Sequence, residues 1–331
     1  MGDKVLIQRA VVVGAGAIGG WLAAALHKAG AEVGLLARGA TLQALQRHGL
    51  RLREGDKEVS LPLRASDQPA ELGQPDLVVL AVKAPALAAV APQVRALLGP
   101  HTVVLTAMNG VPWWFLHGLD TPLRQHTLRS VDPTGAIAAA IPPERVIGGV
   151  VHASCSTDAP GIVRRHFGNK LIIGEPAGGS SPRLQALEAL LQRSGLELET
   201  SSRIQRDIWF KLWGNMTMNP LSALTGATTD RILGDPDLRA MVSAVMLEAR
   251  AVGEKIGLPI EQEPEDRHAV TLKLGAFKTS MLQDVEAGRP VELDALLGAV
   301  IELGQLTTTA MPFTRALMGL ARVHAQTRGL Y

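Results

Sequence analysis

The stretch Ala10-Val-Val-Val-Gly14-Ala-Gly16-Ala-Ile-Gly19-Gly20 decides how the chain begins to fold. Ala10 and the valines after it are small and apolar, most of them β-branched, and make a buried strand. Glycines spaced Gly-x-Gly-x-x-Gly follow at once, and a helical pattern runs from about Ile18 to Ala29. Strand, glycine turn and helix in that order are the setting of a dinucleotide fingerprint. Gly14 permits a tight turn, Gly16 lets backbone approach a pyrophosphate, and Gly19 lets the helix sit close to the strand. The helix N-terminus then faces the phosphates. A nucleotide is expected over Gly14, Ala15, Gly16, Ala17, Ile18 and Gly19; the competing reading is a turn that serves packing alone.

The next strand reads Glu32-Val-Gly-Leu-Leu-Ala-Arg38-Gly39. NAD enzymes usually end this strand with an Asp or Glu for the ribose 2′-hydroxyl, whereas an arginine accepts a 2′-phosphate. Here the residue is Arg38 and no carboxylate follows until Glu54, so NADPH is expected rather than NADH. The plainer reading is a solvated arginine in a turn. Thr41 to His48 predicts a short helix, and Leu50 to Leu63 alternates apolar and charged residues like an exposed hairpin. Asp76-Leu-Val-Val-Leu-Ala-Val-Lys83 is another buried parallel-type strand. Lys83 stands at its carboxyl end, where open α/β sheets bind ligands, and either steadies the cofactor or marks the exit into solvent.

A helix over Ala86–Leu98 and the strand Thr102-Val-Val-Leu-Thr repeat the pattern, and the turn Asn109-Gly110 follows. Asn109 can donate and accept, and so could hold the cofactor ribose and a substrate group together; otherwise it is an ordinary Asn-Gly turn. Trp113-Trp114-Phe115 comes next, with two of the five tryptophans, either as a pocket wall or as an anchor for the loop. Between Val131 and Gly174, Val146–His152 and Lys170–Gly174 predict strands that extend the sheet, in part antiparallel. A helix over Pro182–Ser194 and a short strand over Leu196–Glu199 end the βαβ alternation. The expected organisation is an α/β Rossmann-type N-terminal domain over residues 1–202 and an all-α domain over residues 203–331.

Composition excludes several classes. The chain has 331 residues, enough for two cores. At 47% hydrophobic and 19% charged it is globular rather than disordered. Its 33 Lys plus Arg against 31 Asp plus Glu leave no basic excess for nucleic acid. A lone cysteine, Cys155, builds no internal disulfide and fits a reducing cytoplasm, so a cytoplasmic protein is expected, with no apolar run long enough for a membrane. The nine histidines are scattered without ligand pairing, so no metal site is expected.

From Ile204 the pattern is helical, with breaks expected at Pro220, Asp235-Pro236, Gly257–Pro264, Gly288–Pro290 and Pro312. At about 100° per residue, Trp209, Leu212, Trp213 and Met216 share one stripe. Lys211, Asn215 and Asn219 share the adjoining one. The tryptophan stripe reads as core. The Lys-Asn-Asn row is unlike a solvated face, because asparagine is a poor helix former. One cation with two amides suits an anionic, oxygen-rich small molecule. When a carbonyl carbon receives hydride its oxygen gains negative charge, and a positioned ammonium stabilises that charge and delivers a proton. Lys211 is the candidate for this role. Further on, the Ser280 hydroxyl suits a carboxylate, while Glu292 and Asp294 read first as capping charges at a helix start.

These residues together resemble the ketopantoate reductase (2-dehydropantoate 2-reductase) family. The likeness runs through Gly-Ala-Gly-Ala-Ile-Gly at 14–19, Arg38, Val-Lys83, Asn109-Gly, Lys211-Leu-x-x-Asn215-x-x-x-Asn219-Pro, Ser280-Met-Leu-Gln-Asp and Glu292-Leu-Asp. The last clusters are specific to the family; the glycine motif alone is not. The resemblance implies a Rossmann-type domain, a helical domain and a cleft between them. It implies NADPH-dependent reduction of 2-dehydropantoate to pantoate, in pantothenate and coenzyme A synthesis, and association through the helical domain as a homodimer. By position it implies Lys211 as catalytic acid, Asn215, Asn219 and Ser280 as substrate ligands, and Asn109 touching substrate and cofactor. Lys83 and Glu292 are implied as cofactor contacts, and Ser154 as a backbone cofactor contact.

Two departures surround the substrate end. A further asparagine found in some members is replaced in Ala227-Thr-Thr-Asp230, by Thr229 or Asp230 if at all, and the insertion Val111–Pro143 exceeds the family minimum. Two other readings therefore stand beside the first. One is a reductase of a different 2-oxo or 3-oxo acid on the same scaffold; the other is a protein that senses NADPH without turnover.

Overall fold

A computed structural model describes residues 6–331. The chain divides into two compact units. The first comprises the described residues through Met108 together with Ala136–Asp207; the second comprises Asn109–Gly135 and Ile208–Tyr331.

The first unit is built on one ten-stranded sheet. Its strands are β1 (Arg9–Val13), β2 (Glu32–Leu36), β3 (Leu50–Glu54), β4 (Lys57–Leu61), β5 (Arg64–Ser66), β6 (Leu77–Leu80), β7 (Val103–Thr106), β8 (Val146–Ala159), β9 (Ile162–Gly174) and β10 (Glu197–Thr200). The order is β4-β3-β9-β8-β7-β6-β1-β2-β5, with β10 paired to β9. All pairs are parallel except the hairpins β3–β4 and β8–β9. The antiparallel extension expected after Val146 is thus the β8–β9 ribbon. Val12 of β1 sits opposite Leu35 and Val79, which fixes β2, β1 and β6 in common register. These central strands are almost wholly buried, as parallel strands covered on both faces must be.

Helices α1 (Ala17–Lys28), α2 (Gly39–His48), α3 (Pro69–Leu72), α4 (Ala84–Leu97), α5 (Ala136–Ala140) and α6 (Pro182–Leu191) belong to this unit. Trp21, Leu22 and Leu26 of α1 join Val12, Leu35, Leu171 and Leu187 in its core. Gly14 has φ +95°, a conformation closed to most side chains, and turns the chain out of β1. A Cβ at Gly19 would lie 1.9 Å from the Gly14 carbonyl oxygen, so only glycine lets α1 start that close to the turn.

The second unit is helical: most of α7 (Ile204–Thr225), then α8 (Thr229–Gly234), α9 (Pro236–Lys255), α10 (Pro264–Leu272), α11 (Ser280–Glu286), α12 (Ala299–Leu306) and α13 (Pro312–Thr327). One π-helical segment, Asp294–Gly298, leads into α12. Three of the expected breaks separate helices at Asp235-Pro236, Gly257–Pro264 and Pro312, and Gly288–Pro290 follows the end of α11. Pro220 does not break α7, which runs on to Thr225. An interior proline loses its own amide hydrogen bond and crowds the carbonyl four residues back, at a cost of about 3 kcal/mol. Pro220 and the residues around it, Met218, Leu221 and Ala223, are buried, and tertiary packing carries the helix past the defect.

Trp113, Trp114 and Phe115 are buried in this unit, with the Phe115 and Trp209 rings 5.9 Å apart. The aromatic run is therefore an anchor rather than a pocket wall. The Glu302 carboxylate accepts the Arg129 and Ser130 amides at 2.8 Å each and pins the far end of the same segment to α12. Among the described residues no helix is long and apolar enough to cross a membrane.

Candidate functional site

In the sheet unit, the residues expected to meet a nucleotide emerge on one edge. Gly14 follows Val13, which pairs with Leu36 and Leu80 across the neighbouring strands. Arg38 lies two residues past Leu36 and Lys83 three past Leu80, so the glycine turn, Arg38 and Lys83 leave β1, β2 and β6 at their carboxyl ends. That is the edge at which open α/β sheets hold ligands. Ala15 is buried, while Gly16 is the N-cap of α1, followed by Ala17 and Ile18 in its first turn. No side chain caps that end, so backbone amides remain available there. A Cβ at Gly16 would meet nothing within 4 Å. Gly16 thus borders open space rather than packed protein, which is what close approach of a pyrophosphate requires.

Ser154 lies in the β8–β9 ribbon, beyond the β7 pairing that stops at Gly148. Register shifts flank it on both sides, as at a bulge that re-aims the backbone. A separate cavity of about 290 Å³ opens at the amino ends of β1 and β2, the edge away from the glycine turn, and belongs to none of these residues.

In the helical unit, α7 carries Lys211, Asn215 and Asn219 as one unbroken row. The ammonium of Lys211 donates to Asn109 Oδ1 at 2.9 Å. Asn109 owes its position to the turn after it. The Val111 amide donates to the Ala295 carbonyl at 2.8 Å, and Gly110 packs so closely that a Cβ would lie 2.6 Å from that oxygen. Ala295 belongs to the π-helical segment that follows Glu292, and such segments often mark functional positions. The chain end steadies this region: Val291 donates to the Leu330 carbonyl at 3.1 Å, and Tyr331 Oη donates to Asp294 Oδ1 at 2.7 Å.

Burial pushes the Lys211 ammonium down to about 8; the Glu292 carboxylate opposes this and the Arg267 guanidinium adds to it. Lys211, Asn109 and Glu292, far apart in the chain, therefore meet. Glu292 itself is buried.

Asn215 is half-buried and Asn219 buried on α7. Ser280 is the exposed first residue of α11, whose Met281 and Val285 pack with Pro220 and Leu224 of α7 around a small apolar cavity. Thr229 is buried and spends its hydroxyl on the Gly275 carbonyl at 3.2 Å, and Asp230 accepts from the Thr228 hydroxyl. Both candidates for the replaced asparagine are thus engaged in local structure. Arg267, at Lys211's side, escaped the reading of the sequence because Glu-Asp-Arg-His in α10 looks like a solvated first turn. Among the described residues no group of three or more His, Cys, Asp or Glu is placed to hold a metal.

A sheet that ends in a glycine turn, joined to a helical unit that buries a lysine against an amide, defines a nucleotide-dependent oxidoreductase. The chain belongs to the ketopantoate reductase family: the family described as "Ketopantoate reductase PanE/ApbA" matches residues 10–178, and its C-terminal counterpart matches residues 203–325. It is 45% identical to a 2-dehydropantoate 2-reductase of Mesorhizobium japonicum, over 98% of this chain and all of that one. A crystal structure from Ralstonia solanacearum, provisionally described as a ketopantoate reductase, is 56% identical, with TM-score 0.95 over 98% of this chain and all of that one. The 2-dehydropantoate 2-reductase of Methylococcus capsulatus is 29% identical, with TM-score 0.82 over 97% of each chain.

Proposed function

We propose that the chain catalyses NADPH-dependent reduction of 2-dehydropantoate to pantoate, the step its relatives are named for, and so serves pantothenate and coenzyme A synthesis in the cytoplasm. The observation that carries this is the half-buried Lys211, its ammonium pKa lowered to about 8 and hydrogen-bonded to Asn109. An acid in that range is still charged near neutrality and gives up its proton readily, as a general acid should.

Residues 1–202 form the nucleotide-binding part of this reading, apart from residues 109–135, which pack in the helical unit, and residues 203–331 the substrate part. Gly14, Ala15, Gly16, Ala17, Ile18 and Gly19 would cradle the pyrophosphate of NADPH, Arg38 its 2′-phosphate, and Lys83, Ser154, Asn109 and Glu292 the remainder. The bound cofactor supplies the hydride that adds to C2 of the substrate. Lys211 stabilises the charge that grows on the carbonyl oxygen and transfers its proton there, leaving a 2-hydroxy acid and a neutral amine that is reprotonated from solvent. Asn215, Asn219 and Ser280 orient the substrate, and Asn109 holds the ammonium in place. The family likeness supports a homodimer joined through the helical unit.

The test follows loss of nicotinamide absorbance with purified protein, NADPH and 2-dehydropantoate. Lys211→Ala is expected to lower kcat by about two to four orders of magnitude. Unchanged turnover in that variant removes Lys211 from the mechanism.

One observation favours a second reading. Thr229 and Asp230 are committed to local bonds, so the substrate end lacks the amide some relatives have there. A reductase of another 2-oxo acid would show turnover on a substrate panel while 2-dehydropantoate stays near background.

A further inference from the structure

Beside Lys211 stands a second cation that the scheme above leaves unused. Arg267, from α10, lies across α7, with its guanidinium carbon 5.3 Å from the centroid of the Phe210 ring. Gly214 is the floor beneath it: a Cβ there would come within 2.7 Å of Nε and 3.0 Å of Nη2. A helix-interior glycine costs about 1 kcal/mol relative to alanine. Gly214 thus leaves room for this side chain to lie against α7. By the 100° step of a helix, Gly214 falls between Phe210 and Lys211. Arg267 thus borders Lys211 on the side opposite Asn215 and Asn219, and the ammonium is flanked by amides on one side and a guanidinium on the other.

Among the described residues the guanidinium has no acid partner. Its Nε is buried without a hydrogen-bond partner, and no Asp or Glu among the described residues forms an ion pair with it. Arg183 shows what a half-buried arginine in this chain otherwise does. Its Nε and Nη2 grip both oxygens of Glu175 at 2.9 and 2.6 Å, and Nη2 also reaches the Val146 carbonyl. Arg267 is close enough to Lys211 to depress its pKa, and the charge of Glu292 acts on Lys211. Two neighbouring cations repel, Glu292 offsets the charge of Lys211 alone, and an anion held by the guanidinium relieves the repulsion.

We propose that Arg267 is the cation that recognises the substrate carboxylate at this site, pairing its planar guanidinium with the carboxylate of the 2-oxo acid while Lys211 faces the adjacent carbonyl oxygen; the Ser280 hydroxyl adds a neutral contact. This rests on the reading of the chain as a 2-oxo acid reductase. A fixed cation on the carboxylate orients the substrate about the C1–C2 bond, and Arg provides a two-point grip that Lys does not.

The test compares wild type with Arg267→Leu and Arg267→Lys as full-length protein. At saturating NADPH, Arg267→Leu is expected to raise the KM for 2-dehydropantoate by about 10- to 100-fold and to change kcat by less than about threefold, with Arg267→Lys between. Calorimetry on the NADP⁺-loaded protein supplies the second readout, with pantoate against its neutral carboxamide. Wild type should prefer the acid by at least about tenfold, and Arg267→Leu should bind the two alike. A merely structural role would weaken both ligands together and leave the ratio standing. The proposal is overturned if wild type shows no preference for the acid, or if Arg267→Leu keeps it. Should Arg267→Leu not fold, an undiminished acid preference in Arg267→Lys overturns it equally. If wild type reduces a different 2-oxo acid, the ratio is measured with the corresponding 2-hydroxy acid and its amide. The identity of the substrate and the role of Arg267 then fail separately.

Discussion

The glycine turn of the sheet unit and the lysine row of α7 are sites of opposite kinds. The turn works by lacking side chains: Gly14 adopts a left-handed backbone, Gly19 gives up its Cβ to contact, and Gly16 opens onto empty space. The row works by bearing them, with Lys211 half-buried against Asn109 and shifted by desolvation, then by the charges of Glu292 and Arg267. The first is a matter of steric exclusion within a dozen residues. The second is a matter of electrostatics among residues up to some two hundred positions apart in the chain.

The contrast breaks most sharply at the glycines themselves. Gly19→Val puts a Cβ where the Gly14 oxygen already is, and should cost more than about 4 kcal/mol, visible as a collapse of Tm or loss of soluble protein. A Cβ at Gly16 meets nothing within 4 Å, so with Gly16→Ala Tm should stay within about 2 °C while the Kd for NADPH rises by at least about tenfold. If both variants merely destabilise, the turn is packing and not a phosphate cradle.

A smaller effect is expected at the adjoining strand end. Arg38→Asp exchanges a cation for the carboxylate that would suit a free ribose 2′-hydroxyl. The ratio of kcat/KM for NADPH to that for NADH should fall by about 100-fold. An unchanged ratio would leave Arg38 as a solvated cap of α2.

The smallest effects on stability concern the row. Its acid must be protonated to act, so kcat for reduction should be level at neutral pH and fall as pH rises through about 8. Because the folded lysine has a lower pKa than the unfolded one, its charge opposes folding. The penalty is full below pH 8 and fades towards the ordinary lysine value of 10.5. Lys211→Met should therefore gain about 1 kcal/mol of stability at pH 7, with the full shift discounted for partial exposure, while activity is lost. A variant that is both inactive and less stable would assign Lys211 to structure rather than chemistry.

Much of the fold is legible without coordinates. The strands at Ala10, Glu32, Asp76 and Thr102 are short β-branched runs closed by turns, and their burial follows from their composition. Pro220 misleads because its rule concerns an isolated helix, whereas α7 lies inside a packed unit. Trp113, Trp114 and Phe115 leave two readings open, since exposure depends on partners such as Trp209. Arg267 is hidden altogether. Nothing in the order Glu-Asp-Arg-His distinguishes a solvated arginine from one lying across Phe210 and Gly214.

By itself, the sequence determined the parallel sheet, the glycine turn at its carboxyl edge and the Lys211-Asn215-Asn219 row. Backbone sterics and the periods of strand and helix act between neighbours in the chain. Only the tertiary structure decided that Lys211 is half-buried against Asn109 with a pKa near 8, that Arg267 has no ion-pair partner among the described residues, and that residues 109–135 pack with the helices. Burial and charge are set by neighbours in space, which local sequence order does not specify.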